Sequence, residues 1–134
     1  MKAICAGTLA ALMALAAPEQ GEAQEEERLV LPSGLEAELQ EVISGEAAMG
    51  LTVRFRFTAE GFTGAEDFEA QTADLEYLCN DFALERIDMA ERPPDRIVIS
   101  LADRPSKFGQ FDPDVAQIFE SFSVEDAACI LELF

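Results

Sequence analysis

The segment Leu51–Phe57 constrains the fold more than any other. Leu51, Val53, Phe55 and Phe57 alternate with Thr52, Arg54 and Arg56. A period of two puts the apolar side chains on one face of a strand and the polar ones on the other. One such strand cannot bury its apolar face alone, so it demands a sheet and a layer to cover it.

Leu35 to Ile43 supplies a neighbouring strand. Leu35, Ala37 and Leu39 alternate with Glu36, Glu38 and Gln40, and the alternation slips at Glu41-Val42-Ile43, as at a bulge or a strand end. With Ser44–Gly50 as a loop, an antiparallel hairpin sets Ile43 against Leu51, Leu39 against Phe55 and Ala37 against Phe57. The same register sets Gln40 against Arg54 and Glu38 against Arg56 on the outer face.

The covering layer is a helix from Glu66 to about Phe82, with Phe68, Leu75, Leu78, Cys79 and Phe82 on one stripe. Glu66, Asp67 and Glu69 in its first turn complement the helix dipole. Arg92-Pro93-Pro94 forces an extended linker. Arg96–Ala102 follows as a strand apolar on both faces, hence central in the sheet. Gln117–Val124 fits a helix or a strand; the turn at Glu125-Asp126 and the closing strand Cys129–Phe134 favour a strand. The expected fold is α+β: one helix packed on a small antiparallel sheet, in the order strand-strand-helix-strand-strand-strand.

Residues 1–23 read as a signal peptide. Lys2 precedes an apolar run from Ala3 to Pro18, and Gly21-Glu22-Ala23 is a small-residue exit. The run is shorter than the roughly 20 residues that span a bilayer. Cleavage is expected after Ala23, with Ala16 as second choice, giving a periplasmic or secreted protein with no stable membrane insertion. Residues 24–34 read as an acidic tail ending in the turn Pro32-Ser33-Gly34. Residues 35–134 read as a single domain.

Removal of Lys2, Glu19 and Glu22 leaves eight basic and 25 acidic residues, a formal charge of −17. That charge disfavours nucleic acid and anionic lipid, and favours solubility and a cationic partner. Cys79 and Cys129 are the cysteines left after cleavage, and an even pair in an exported domain points to a disulfide. The alternative is two buried free thiols. Histidine is absent, which removes Ser-His-Asp and Cys-His catalysis and the commonest zinc ligand. No cofactor is expected.

The loop Asp103–Asp114 is the candidate site. Asp103, Arg104, Lys107, Asp112 and Asp114 lie beside Phe108 and Phe111. Long loops in compact domains are often functional. The plainer reading is a connection in which Asp103 and Asp112 cap turns and the phenylalanines tuck against the core. Asp112 and Asp114 match no EF-hand spacing. Arg54 and Arg56 form a second candidate, an anion site on the outer sheet face, unless Glu38 and Gln40 occupy them.

Several runs resemble an uncharacterised family of small exported bacterial proteins, a domain of unknown function. They are Leu51-Thr-Val-Arg-Phe-Arg-Phe57, Asp74-Leu75-Glu76-Tyr77-Leu78-Cys79, Ile97-Val-Ile-Ser-Leu-Ala-Asp-Arg-Pro105 with Phe108-Gly109, and Phe119-Glu120 followed by Ala128-Cys129-Ile130. Where members often carry Trp, this chain has Leu131. The resemblance implies an export signal and two matching cysteines, and it carries no activity. Some relatives are labelled acetolactate synthase. That enzyme resembles large cytoplasmic thiamine-diphosphate enzymes with a Gly-Asp-Gly motif, and nothing of the kind is in this chain. The expected function is a non-enzymatic module that binds a protein or a small ligand. A small carboxylate-dependent hydrolase is the alternative.

Overall fold

The computed structural model describes residues 28–47 and 50–133. The expected signal peptide and residues 24–27 of the acidic tail lie outside them. Three strands come first: β1 (Arg28–Val30), β2 (Glu36–Ala47) and β3 (Gly50–Ala59). Helix α1 (Phe68–Tyr77) continues without a break into a π-helical stretch (Leu78–Ala83) and a last α turn (Leu84–Arg86). Strands β4 (Arg96–Ala102), β5 (Gln117–Glu125) and β6 (Ala128–Leu131) complete one six-stranded sheet in the order β1-β2-β3-β4-β5-β6.

This corrects the expected fold class twice. The sheet is mixed, because β3 and β4 run parallel from Thr52 opposite Arg96 to Thr58 opposite Ala102. A parallel pair needs a crossover, and α1 lies in the connection between them. A strand apolar on both faces reads the same in either direction, so the pattern of β4 was silent on this. The sheet also gains β1 at its edge, making the order three strands, helix, three strands. Leu29 lies opposite Ala37, and Leu31 is buried in the core.

The β2–β3 register differs from expectation. Ile43 lies opposite Arg54, Leu39 opposite Phe57 and Ala37 opposite Ala59, with a bulge between Leu39 and Glu41. The strands run on to Ala47 and Gly50 instead of stopping at Ile43 and Leu51. The bulge moves Glu41 and Ile43 to the outer face, which accounts for the slipped alternation.

The inner face carries the core. Val53, Phe55 and Phe57 of β3 stand beside Ile97, Ile99 and Leu101 of β4, all buried. The helix lowers Leu75, Leu78, Cys79, Phe82 and Ala83 onto them. Phe82 meets Phe57 and Phe55 edge-on, at 5.4 and 6.3 Å between centroids. Phe68, assigned to the buried stripe by its spacing, is instead 65% exposed, because the helix only begins there.

Two ties fasten the helix to the ends of the sheet. At the first end, buried Asp74 accepts hydrogen bonds from the Ser33 amide (3.0 Å) and hydroxyl (2.6 Å). At the other, Cys79 and Cys129 form a disulfide across 50 residues. Beside it the Cys129 amide donates to Asn80 Oδ1 at 2.9 Å. In the chain-entropy view, a cross-link of that span contributes about 4 kcal/mol. No helix among the described residues is long and apolar enough to cross a membrane.

Glu132, just after β6, closes the far edge of the outer face. Its Oε1 accepts from Arg96 Nε at 2.9 Å and from Ser121 Oγ at 2.7 Å. The Arg96 bond first, and the Ser121 bond second, hold the Glu132 carboxyl below the ordinary glutamate range. A folded-state value below the unfolded one stabilises the protein above the ordinary glutamate pKa. That contribution is lost as pH falls through the depressed value. Glu132→Gln is therefore expected to cost about 1 kcal/mol at pH 7. Urea titrations should show the gap to wild type closing in acid, where both side chains are neutral. Equal stability at pH 7, or a gap that persists undiminished at low pH, contradicts this assignment.

Candidate functional site

The loop between β4 and β5 folds over the outer face of the sheet. Its neck is shut by Asp103, whose amide donates to the Ala116 carbonyl at 3.0 Å and whose Oδ1 accepts from the Ala116 amide at 3.2 Å. Arg104 donates to the same carboxylate, with Nη2 2.9 Å from Oδ2. The Arg104 bond is the main reason the Asp103 pKa lies below its usual value. Arg104 is raised in turn, first by Asp103 and less by Asp114 and Asp112. Asp112 Oδ1 accepts from the Asp114 amide at 3.0 Å, a local turn bond. The acidic half of the loop thus satisfies itself. Among the described residues no group of three or more His, Cys, Asp or Glu side chains is placed to hold a metal ion.

The other half of the loop is pinned by one buried cation. Arg56 on β3 is 4% exposed. It pairs with Glu41, and its Nη1 and Nη2 donate to the Ser106 carbonyl and hydroxyl, both at 3.2 Å. Gln40 Nε2 donates to the same carbonyl at 2.9 Å. The expected outer-face partners of the arginines are corrected here. Arg56 meets Glu41 instead of Glu38, and Gln40 serves the loop instead of Arg54. The bulge is the cause, since it brings two consecutive residues of β2 to bear on one spot.

Phe108 then lies against both arginines, with its ring centroid 5.3 Å from Arg54 Cζ and 5.4 Å from Arg56 Cζ. Stacking of this kind draws the guanidinium charge to the ring face. Phe108 is 49% and Phe111 89% exposed, so neither is tucked into the core. Between loop and sheet lies a cleft of about 340 Å³. Arg54, Arg56 and Lys107 line it with Phe108, Phe111 and Phe119, over a floor of Val98 and Ser100. Among the described residues, no carboxylate lines it. Among the described residues, Arg54 and Lys107 form no ion pair.

The seven loop candidates therefore separate. Lys107, Phe108 and Phe111 join the cleft. Asp103 and Arg104 line a second recess of about 630 Å³ with Arg28, Glu36, Glu38 and Glu60. Asp112 and Asp114 line neither. The larger recess has its cations already neutralised, since Arg28 pairs with Glu36 and Glu38 and Arg104 with Asp103. The smaller cleft is the one with charge to spare. Ser106, Gln117 and Phe119 were not singled out from sequence. Phe119 had a signal, since it falls out of phase with Ile118, Phe122 and Val124 and so puts a large ring on the polar face of β5.

If Arg56 holds the loop down, Arg56→Lys keeps the charge but loses the fork that reaches Glu41 and Ser106 together. The variant is expected to fold, with trypsin nicking the Lys107–Phe108 bond about tenfold faster than in wild type. Mass spectrometry of timed digests reads the rate. Equal cleavage rates would show that the loop does not depend on Arg56.

Neither a curated protein nor a solved structure matches the chain. A family model does, over residues 9–134, nearly the whole sequence. The chain belongs to the family described as a family of unknown function, DUF6497.

Proposed function

We propose that the protein is a non-enzymatic binding module working outside the cytoplasm, with its ligand in the cleft between the β4–β5 loop and the outer sheet face. One observation carries the reading. In a chain of net charge −18, three of nine basic residues line a single cleft; among the described residues only Arg56 of the three is ion-paired, and no carboxylate lines it. The global field favours cationic partners, but the local field in this cleft has the opposite sign and selects an anion. The disulfide is compatible with an oxidising compartment. The carboxylate-hydrolase alternative would use the larger recess, where Glu36, Glu38, Glu60 and Asp103 converge with Arg104. We favour the cleft because Glu36, Glu38 and Asp103 are engaged in ion pairs with Arg28 and Arg104.

A thermal-shift panel of organic acids, sugars and amines tests the proposal. A ligand at 100 times its Kd should stabilise the fold by about 2.7 kcal/mol. The acids should supply the hits, Arg54→Gln and Lys107→Gln should each cut the stabilisation to about half, and the hit compounds should be recovered chemically unchanged. Hits whose shift neither substitution reduces, or a compound that is turned over, would overturn the proposal.

A further inference from the structure

We infer, resting on the cleft as the binding site, that the ligand is a small organic acid: a carboxylate carried on an aromatic or branched apolar body. Three observations converge on this class.

The first is the division of labour among the cations. Arg56 spends its donors on Glu41 and Ser106. Among the described residues, Arg54 meets only the Phe108 face and Lys107 has no ion-pair partner. Two unspent cations suit an anionic group. A guanidinium fork presents paired donors to a planar carboxylate, and an ammonium adds a point charge.

The second is the apolar wall. Phe108, Phe111 and Phe119 are 49, 89 and 65% exposed around one cleft. A bare inorganic anion would leave all three rings in water. A flat apolar body covers them and adds ring-to-ring contact.

The third is size. About 340 Å³ lies at the lower end of small-molecule sites. It suits an acid with one ring or a short branched chain. Gln110 and Gln117 at the cleft offer amides to a further polar substituent.

Phenylacetate, phenylacetamide, acetate and inorganic phosphate separate the contributions. Each is titrated into the ¹⁵N-labelled folded protein while amide shifts are followed. Phenylacetate should move the amides of Arg54, Lys107, Phe108 and Phe119. Phenylacetamide, which lacks the charge, should bind at least about tenfold more weakly. Acetate and phosphate, which lack the body, should do likewise. Arg54→Gln should weaken phenylacetate about tenfold, and Lys107→Gln, on the exposed loop, gives a second reading in a variant that keeps the sheet intact. Phenylacetamide, acetate or phosphate binding the cleft as well as phenylacetate would overturn the ligand class and leave the cleft as the site. Failure of phenylacetate to move the cleft amides would overturn the class as well. If the acids of the panel then shifted only residues of the Arg28–Arg104 recess, the cleft reading would fall too.

Discussion

A buried guanidinium organises the outer half of this protein. Arg56 sits between Phe55 and Phe57 on β3, whose rings point to the opposite face and hold the helix. One short segment therefore grips both layers: the apolar core with its odd residues, the loop with Arg56. Burying a charge is costly unless it is paired and hydrogen-bonded. Glu41 supplies the charge, and Ser106 supplies two acceptors. The bulge at Gln40 makes this possible. Without it Gln40 alone would lie opposite Arg56. With it, Glu41 takes that place and Gln40 reaches Ser106 as well. Bulges that re-aim side chains beside a site are a recurrent device of sheets.

The cleft follows from that node. With Ser106 pinned, the next residues cross the outer face, and Phe108 comes to lie on the two arginines. The acidic residues of the loop are drawn to its neck, where Asp103 serves Ala116 and Arg104. Charge is thereby sorted within one loop, carboxylates at the neck and Lys107 with the phenylalanines over the sheet. In so acidic a chain, the sorting gathers three basic side chains at one small cleft, a local arrangement that the sum of charges conceals.

Much of the inner layer was legible in sequence. The alternation in β3, the stripe Leu75, Leu78, Cys79 and Phe82, and the cysteine pair each arise from a local period or a count. The parts that were not legible depend on distant partners. Three residues of β1 carry too short a pattern to announce a strand. The parallel β3–β4 pairing leaves no mark in a segment apolar on both faces. The hairpin register changed because the strands outran their clearest alternation and a bulge fell at Gln40. For the site, loop length and composition pointed to Lys107, Phe108 and Phe111, and the alternation pointed to Arg54 and Arg56. Their meeting across some 50 positions of chain is a tertiary event, carried by Ser106, whose type gives no hint of it.

The dependence on Arg56 is most directly measured by a double-mutant cycle. Glu41→Gln, Arg56→Gln and the double variant are unfolded in urea and their stabilities compared with wild type. A buried cation neutralised by its neighbour should give a coupling energy of about 1–3 kcal/mol, with Arg56→Gln less harmful once Glu41 is already gone. A coupling below about 0.5 kcal/mol, the level of independent sites, would contradict the account and make Arg56 an ordinary strand residue.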